Sequence, residues 1–256
     1  MVRGLDTFRK YFKDYADNYI IIGGTACSQL IEEGGLKPRA TKDIDAILIV
    51  EALNNEFVKS FWEFIKEGKY ELWQTISGET QFYRFIKPKV DNYPQQIELF
   101  SRVPDLIKVP EGAHLTPIPV GEELSSLSAI LLDNDYYNYA TSHTVILDEL
   151  HFVDKDAIVV LKAIAYINNS NRKAKGEQVR SEDISKHKND IFRIVSTFAG
   201  DVRFEIPEAI KNDLRTFINM VEKEGLGTAR LSKELGLDNE ITLEEFMAQL
   251  KNSFGL

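Results

Sequence analysis

Residues 39–50, Arg39-Ala-Thr-Lys-Asp43-Ile-Asp45-Ala-Ile-Leu-Ile-Val50, place two aspartates two positions apart at the head of an unbroken apolar run. An Ile- and Val-rich segment of this length reads as a strand covered on both faces, and side chains at i and i+2 of a strand share one side of the sheet. Asp43 and Asp45 therefore face one way together. Two carboxylates this close repel and raise each other's pKa unless a cation lies between them, so the pair makes physical sense as a divalent-metal site.

Upstream, Tyr19-Ile-Ile-Ile22 reads as a short buried strand ending in Gly23-Gly24-Thr25, and Ala26-Cys27 through Leu30-Ile31 continue as a helix closed by Gly34-Gly35. Glycines at such a turn let the backbone approach a ligand, and the first N–H groups of the helix carry partial positive charge, so the turn is a candidate phosphate cradle. The same turn also arises for purely steric reasons. Before it, Leu5, Phe8, Phe12 and Tyr15 recur at helical spacing and predict an amphipathic packing helix. Downstream, Phe57 to Ile65 forms a second helix with Phe57, Phe61 and Phe64 along one stripe. Thr80 to Ile86 is a strand by alternation, a turn at Asp91-Asn92 and Pro94 follows, and Gln95 to Phe100 is the next strand. Glu98 lies there between Ile97 and Leu99. If that strand neighbours the aspartate strand, Glu98 closes a three-carboxylate cluster.

Four of the eight prolines fall between Pro104 and Pro119, which marks an irregular segment and the edge of the sheet domain. The expected organisation is thus α+β, with residues 1–120 a mixed sheet flanked by helices and residues 121–256 a mainly helical domain packed on it. Leu127–Leu132 and Thr144–Leu147 flank a loop with Asp133-Asn134-Asp135 and three tyrosines, and read as a hairpin or as two extensions of the sheet. Asp154 caps a helix running to about Asn168, Ser181 opens another through Phe198, Pro207 begins a third, and Thr242 with Glu245 caps a fourth. In the first of these Lys162 projects from the stripe of Ile158, Leu161 and Ala165, so its ammonium must reach water or an anion. In the second, Lys188 and Asp190 adjoin the apolar face of Ile184, Ile191 and Val195.

The composition, 43% hydrophobic and 28% charged, is that of an ordinary globular protein. With 31 Lys and Arg against 40 Asp and Glu the net charge is −9, which argues against a broad nucleic-acid or anionic-membrane surface. A local basic stretch, Arg172, Lys173, Lys175, Arg180, Lys186 and Lys188, stands apart from that balance and reads either as an RNA-backbone contact or as a solvated loop. One cysteine, Cys27, excludes an internal disulfide and a cysteine zinc cage. The absence of a leader-like start and of any run of 18 apolar residues predicts a cytoplasmic chain with no membrane partner.

Gly23-Gly24-Thr25-Ala26, then Arg39-Ala-Thr-Lys-Asp43-Ile-Asp45, then Glu98 on a later strand resemble the nucleotidyltransferase fold of the polymerase-beta-like superfamily. Within it the chain looks most similar to the AbiEii-type, or MenT-like, toxins of abortive-infection and toxin–antitoxin systems, whose turn is typically Gly-Gly-Thr-Ala and whose metal strand follows Arg-x-Thr-x-Asp-Ile-Asp. Leu161-Lys162-Ala163 resembles the family's helical lysine, and Asn189-Asp190-Ile191-Phe192 its Lys-Asp motif, with Asn189 in place of the lysine and Arg193 where a second aspartate is expected. The resemblance spans about residues 19–194.

It implies transfer of a nucleotide from an NTP to an acceptor hydroxyl with release of pyrophosphate. Asp43 and Asp45 would hold Mg²⁺ or Mn²⁺, and Glu98 would complete a second metal or take the acceptor's proton. Gly23, Gly24 and Thr25 would cradle the phosphates, Lys162 would neutralise them, and Asp190 would orient Lys162 or the nucleotide. The implied partners are an NTP, an RNA acceptor such as tRNA, and an antitoxin protein. Two other readings stay open: a small hydroxylated, antibiotic-like acceptor, which suits an acidic protein if the acceptor is cationic, and a nucleotide-binding or interaction module without turnover.

Overall fold

Asp43–Leu48 forms an inner strand of a mixed sheet that has eight strands among the described residues of the computed structural model, namely 2–49, 52, 54–77, 80–101, 115–117, 130 and 133–256. Along the chain these are β1 (Tyr19–Ile22), β2 (Asp43–Leu48), β3 (Glu71–Ser77), β4 (Thr80–Ile86), β5 (Gln96–Ser101), β6 (Leu115–Pro117), β7 (Thr144–Leu147) and β8 (Leu150–Val153). Their order across the sheet is β6-β3-β4-β5-β2-β1-β8-β7. β2 runs antiparallel to β1 and parallel to β5, and β5 runs antiparallel to β4.

Register sorts the side chains onto two faces. Tyr19, Ile21, Ile44, Ala46, Ile97, Leu99, Tyr83 and Phe85 share one, because Ile21 pairs with Ala46, Ala46 with Leu99 and Leu99 with Tyr83. Helix α1 (Leu5–Phe12) and helix α3 (Asn55–Gly68) cover that face with aromatic rings: Phe8, Phe12 and Phe57 meet Tyr19, and Phe61 meets Phe85 edge-on at 5.3 Å between centroids. Each fully buried ring of this kind contributes about 1.5–3 kcal/mol of transfer free energy. Asn54 starts α3 by accepting from the Phe57 N–H at 2.8 Å, and Lys69 ends it in the left-handed conformation. The opposite face carries Asp43, Asp45, Gln96, Glu98 and Arg84.

Two compact units divide the chain, and they interleave. The first holds Met1–Ser28, Ala40–Ser128 and Thr144–Val153; the second holds Gln29–Arg39, Ala129–His143 and Asp154–Leu256. The strands β7 and β8, although they follow residue 120, belong to the first of these units. Helix α2 (Gly23–Glu33) begins in the first unit and ends in the second. The second unit otherwise consists of α4 (Asn134–Ser142), α5 (Lys155–Ala174), α6 (Ser181–Val195), α7 (Glu208–Glu224), α8 (Thr228–Leu235) and α9 (Leu243–Phe254). None of the helices among the described residues is long and apolar enough to cross a membrane.

Several local expectations change. The Asp133–Asp135 and tyrosine segment is not a loop but α4: Asp133 caps it, and Tyr136 and Tyr139 are buried on one side. Thr144–Leu147 pairs with Leu150–Val153, so the hairpin lies one element later than the segment 127–132, most of which falls outside the described residues. Asp148 and Glu149, both at positive φ, make its two-residue turn. The strand β3 and the short helix α8 are not among the elements expected from the sequence. Most of Pro104–Pro119 also lies outside the described residues, apart from β6. The capping box of Thr242 and Glu245 forms as expected.

Candidate functional site

Antiparallel pairing of β1 with β2 puts Ile22 opposite Asp45, so the chain leaves β1 beside the aspartate and turns directly into α2. The helix starts at Gly23 rather than at Ala26. Gly23 has φ +69, and a Cβ placed on it would overlap the Asp45 carboxylate and come within 3.0 Å of its Cγ. Only a residue without a side chain lets the helix start and the carboxylate occupy neighbouring space. Gly24 is half-buried at the same turn. The first N–H groups of any helix lack intrahelical acceptors, so the start of α2 combines backbone donors with a carboxylate at its edge.

Thr25, expected to help cradle phosphate, has its side chain engaged within the turn. It is fully buried, and its hydroxyl donates to the Asp43 main-chain carbonyl at 2.6 Å. Its side chain thereby fixes the first residue of β2 to the first turn of α2. Asp43 itself is exposed and Asp45 half-buried, both on the face opposite the aromatic layer.

The adjacency anticipated for Glu98 is present: Asp45 pairs with Glu98 in the parallel β2–β5 register, and Glu98 with Arg84 in the antiparallel β5–β4 register. The three side chains form a row across three strands. The carboxylate of Glu98, however, is engaged from the far side. Its Oε1 accepts from Arg84 Nε at 2.8 Å and from Gln96 Nε2 at 3.0 Å, and Glu98 is 6% exposed. Among the described residues no three His, Cys, Asp or Glu side chains gather closely enough to hold a metal ion.

In the second unit, Lys162 does not snorkel. It is 3% exposed, and its ammonium donates to Asp190 Oδ2 at 2.7 Å. Asp190 is fully buried and also accepts from Arg39 through a two-pronged pair at 2.9 and 3.0 Å, and from Arg193 at 3.3 Å. Burial alone would raise this carboxyl's pKa; the Lys162 charge and the Arg39 hydrogen bonds and charge outweigh it and hold the pKa well below the usual carboxylate range. Arg193 continues to Glu234 at 2.7 Å. The arginine at the position where the resemblance leads one to expect aspartate thus closes a buried ionic cluster around Asp190. His187, one helical turn before Asp190, is buried and neutral: burial first, then the charges of Lys162 and Lys186, lower its pKa to about 3. Its Nδ1 has no hydrogen-bond partner among the described residues.

Four of the six basic residues of the stretch have carboxylate partners within the unit, three carboxylates in all. Arg172 pairs with Glu177, Arg180 and Lys186 both pair with Asp183, and Lys188 reaches Glu224 at 3.1 Å and lies over the Tyr166 ring. Sequence reasoning placed Asp43, Asp45, Glu98, Lys162 and Asp190 but missed the roles of Arg84, Arg39 and Arg193. Arg39 stood inside the aspartate motif and Arg193 stood one turn after Asp190, so both carried a signal; Arg84 carried none, since its pairing depends on strand register.

No family model matches the chain, and no curated protein matches it. Among solved structures it is similar to the crystal structure of an antigenic nucleotidyltransferase-like protein from Paracoccidioides brasiliensis, at 15% identity over 93% of this chain and 94% of that one, with a TM-score of 0.42. A likeness of that degree carries no functional argument, and the reading below rests on the side chains.

Proposed function

We propose that the protein is a metal-dependent nucleotidyltransferase that moves a nucleotide from an NTP to an acceptor hydroxyl and releases pyrophosphate. The observation that carries this is the fit of Gly23 against Asp45: a helix start opens directly beside a carboxylate that shares its strand face with Asp43. Two aspartates on one strand face next to backbone donors suit an ion that prefers oxygen ligands together with the polyphosphate it accompanies. Asp43 and Asp45 would hold Mg²⁺ or Mn²⁺. Bound there, a divalent ion supplies charge neutralisation for the triphosphate and for the pyrophosphate as it leaves.

The chain's own residues have distinct tasks in this reading. Gly23 and Gly24 admit phosphate oxygens to the N–H groups of α2. Thr25 fixes Asp43 at the edge of that turn through its carbonyl. Lys162 and Asp190 serve each other within the helical unit, so their contribution is to its stability. An AbiEii-type toxin role, with an RNA acceptor such as tRNA and an antitoxin protein as partner, belongs to this proposal through the sequence motifs alone. A small cationic hydroxylated acceptor is the second reading. One observation bears on it: four of the six basic residues expected to meet RNA, Arg172, Arg180, Lys186 and Lys188, are paired with Glu177, Asp183 and Glu224.

The test is incubation of the full chain with each α-labelled NTP and Mg²⁺ or Mn²⁺, with and without cellular RNA. Labelled RNA supports the first acceptor, and a labelled small product from a panel of hydroxylated amines the second. Asp45→Asn should abolish transfer while leaving the circular dichroism spectrum unchanged. Turnover equal to wild type in that variant removes the metal-site argument.

A further inference from the structure

Parallel pairing of β2 with β5 sets Gln96 beside Asp43 and Glu98 beside Asp45, all on the face opposite the aromatic layer. The start of β5 is pinned in that register, because the Gln95 N–H donates to the Lys42 carbonyl at 2.8 Å, one residue before each member of the Asp43–Gln96 pair. Neighbouring strands lie about 4.8 Å apart, so the side chains of Asp43 and Gln96 project side by side.

The direction of the Gln96 amide is fixed by what it touches. Its Nε2 donates to Glu98 Oε1 at 3.0 Å, and the same oxygen accepts from Arg84 Nε at 2.8 Å. A guanidinium has donors only, so Oε1 is an acceptor, and only the nitrogen end of the amide can face it. The amide oxygen is thereby turned away from Glu98. Among the described residues the Gln96 side chain makes this one hydrogen bond, which leaves its oxygen without a donor there. Glu98 is 6% exposed, Gln96 half-buried and Asp43 exposed, so burial falls along the path from Glu98 through Gln96 to Asp43.

Hard divalent cations take oxygen ligands, amide carbonyls among them, and a neutral ligand adds no repulsion to a pair of carboxylates. We propose that Gln96 gives its amide oxygen to the divalent cation held by Asp43 and Asp45. This rests on the metal reading of the aspartate pair. Whatever Glu98 Oε2 meets, Oε1 then has a positioning role, since it selects the end of the amide that faces the ion.

Gln96→Leu removes the oxygen without changing any charge, so long-range attraction for a cation stays as it was. Mn²⁺ titration of the full chain, followed by the electron paramagnetic resonance signal of free Mn²⁺, should show binding about tenfold weaker in Gln96→Leu and within about twofold of wild type in the neighbouring Gln95→Leu. Binding by Gln96→Leu within that same range of wild type overturns the proposal. Losing Gln96 also frees the Glu98 carboxylate, so a second measurement uses the unsubstituted chain. With carbon-13 at the glutamine side-chain carbonyls, saturating Mg²⁺ should shift the Gln96 resonance more than that of Gln95, which a merely structural role would not produce. A Gln96 shift no larger than that of Gln95, in a chain that binds Mn²⁺, overturns the proposal and leaves the metal reading standing. Wild type that takes up no Mn²⁺ at millimolar concentration overturns the metal reading itself, and this proposal with it.

Discussion

Replacing Asp190 by Asn removes the negative charge that Lys162 touches among the described residues. Lys162 is 3% exposed, and Asp190, fully buried, also accepts two hydrogen bonds from Arg39 and one from Arg193. An amide keeps the volume of the carboxylate but leaves the ammonium without a counterion. Breaking a buried pair in this way costs about 3–5 kcal/mol. At roughly 1.36 kcal/mol per tenfold, amide protection in α5 and α6 should fall about 10²- to 10⁴-fold at pH 7, measured by hydrogen exchange and mass spectrometry. Lys162→Met should cost less, about 1.5–3 kcal/mol, since Asp190 then keeps two guanidinium partners. The pH dependence has a defined sign. The Asp190 carboxyl ionises in the folded protein below the value of an unfolded aspartate, so its contribution is complete above about pH 4 and is lost as pH falls further. The gap between wild type and Asp190→Asn should narrow below about pH 4. A protection loss under tenfold at pH 7, or one smaller than that of Lys162→Met, refutes the view of Asp190 as the centre of the cluster.

Gly23→Ala should lower the melting temperature more than Gly35→Ala: both positions have positive φ, which costs about 1–2 kcal/mol for a residue with a Cβ, but only the Cβ at Gly23 meets a carboxylate, while nothing lies within 4 Å at Gly35. Equal shifts in thermal melts would show that Asp45 moves aside at little cost. For His187 the folded pKa of about 3 lies below the unfolded value, so the unfolded state binds the extra proton and stability falls as pH drops from about 6.5 toward 3. Its imidazole resonances should remain those of the neutral ring at pH 5, and a titration midpoint above 6 contradicts the burial argument.

The elements that sequence made legible are those with strong periods. The apolar run after Asp45, the aromatic stripe of Phe57, Phe61 and Phe64, and the capping box at Thr242 each encode their own local structure, because burial pattern and caps act within a few residues. The shared face of Asp43 and Asp45 follows from the two-residue repeat of a strand and needs nothing distant. Partners are another matter. Whether Glu98 meets a metal or Arg84, and whether Lys162 reaches water or Asp190, depends on which strands and helices become neighbours and in what register. A one-residue slip would turn Arg84 to the opposite face. The sequence by itself thus determined the carboxylate pair and the glycine turn beside it, whereas only the tertiary structure decided which of the remaining charges already have counterions.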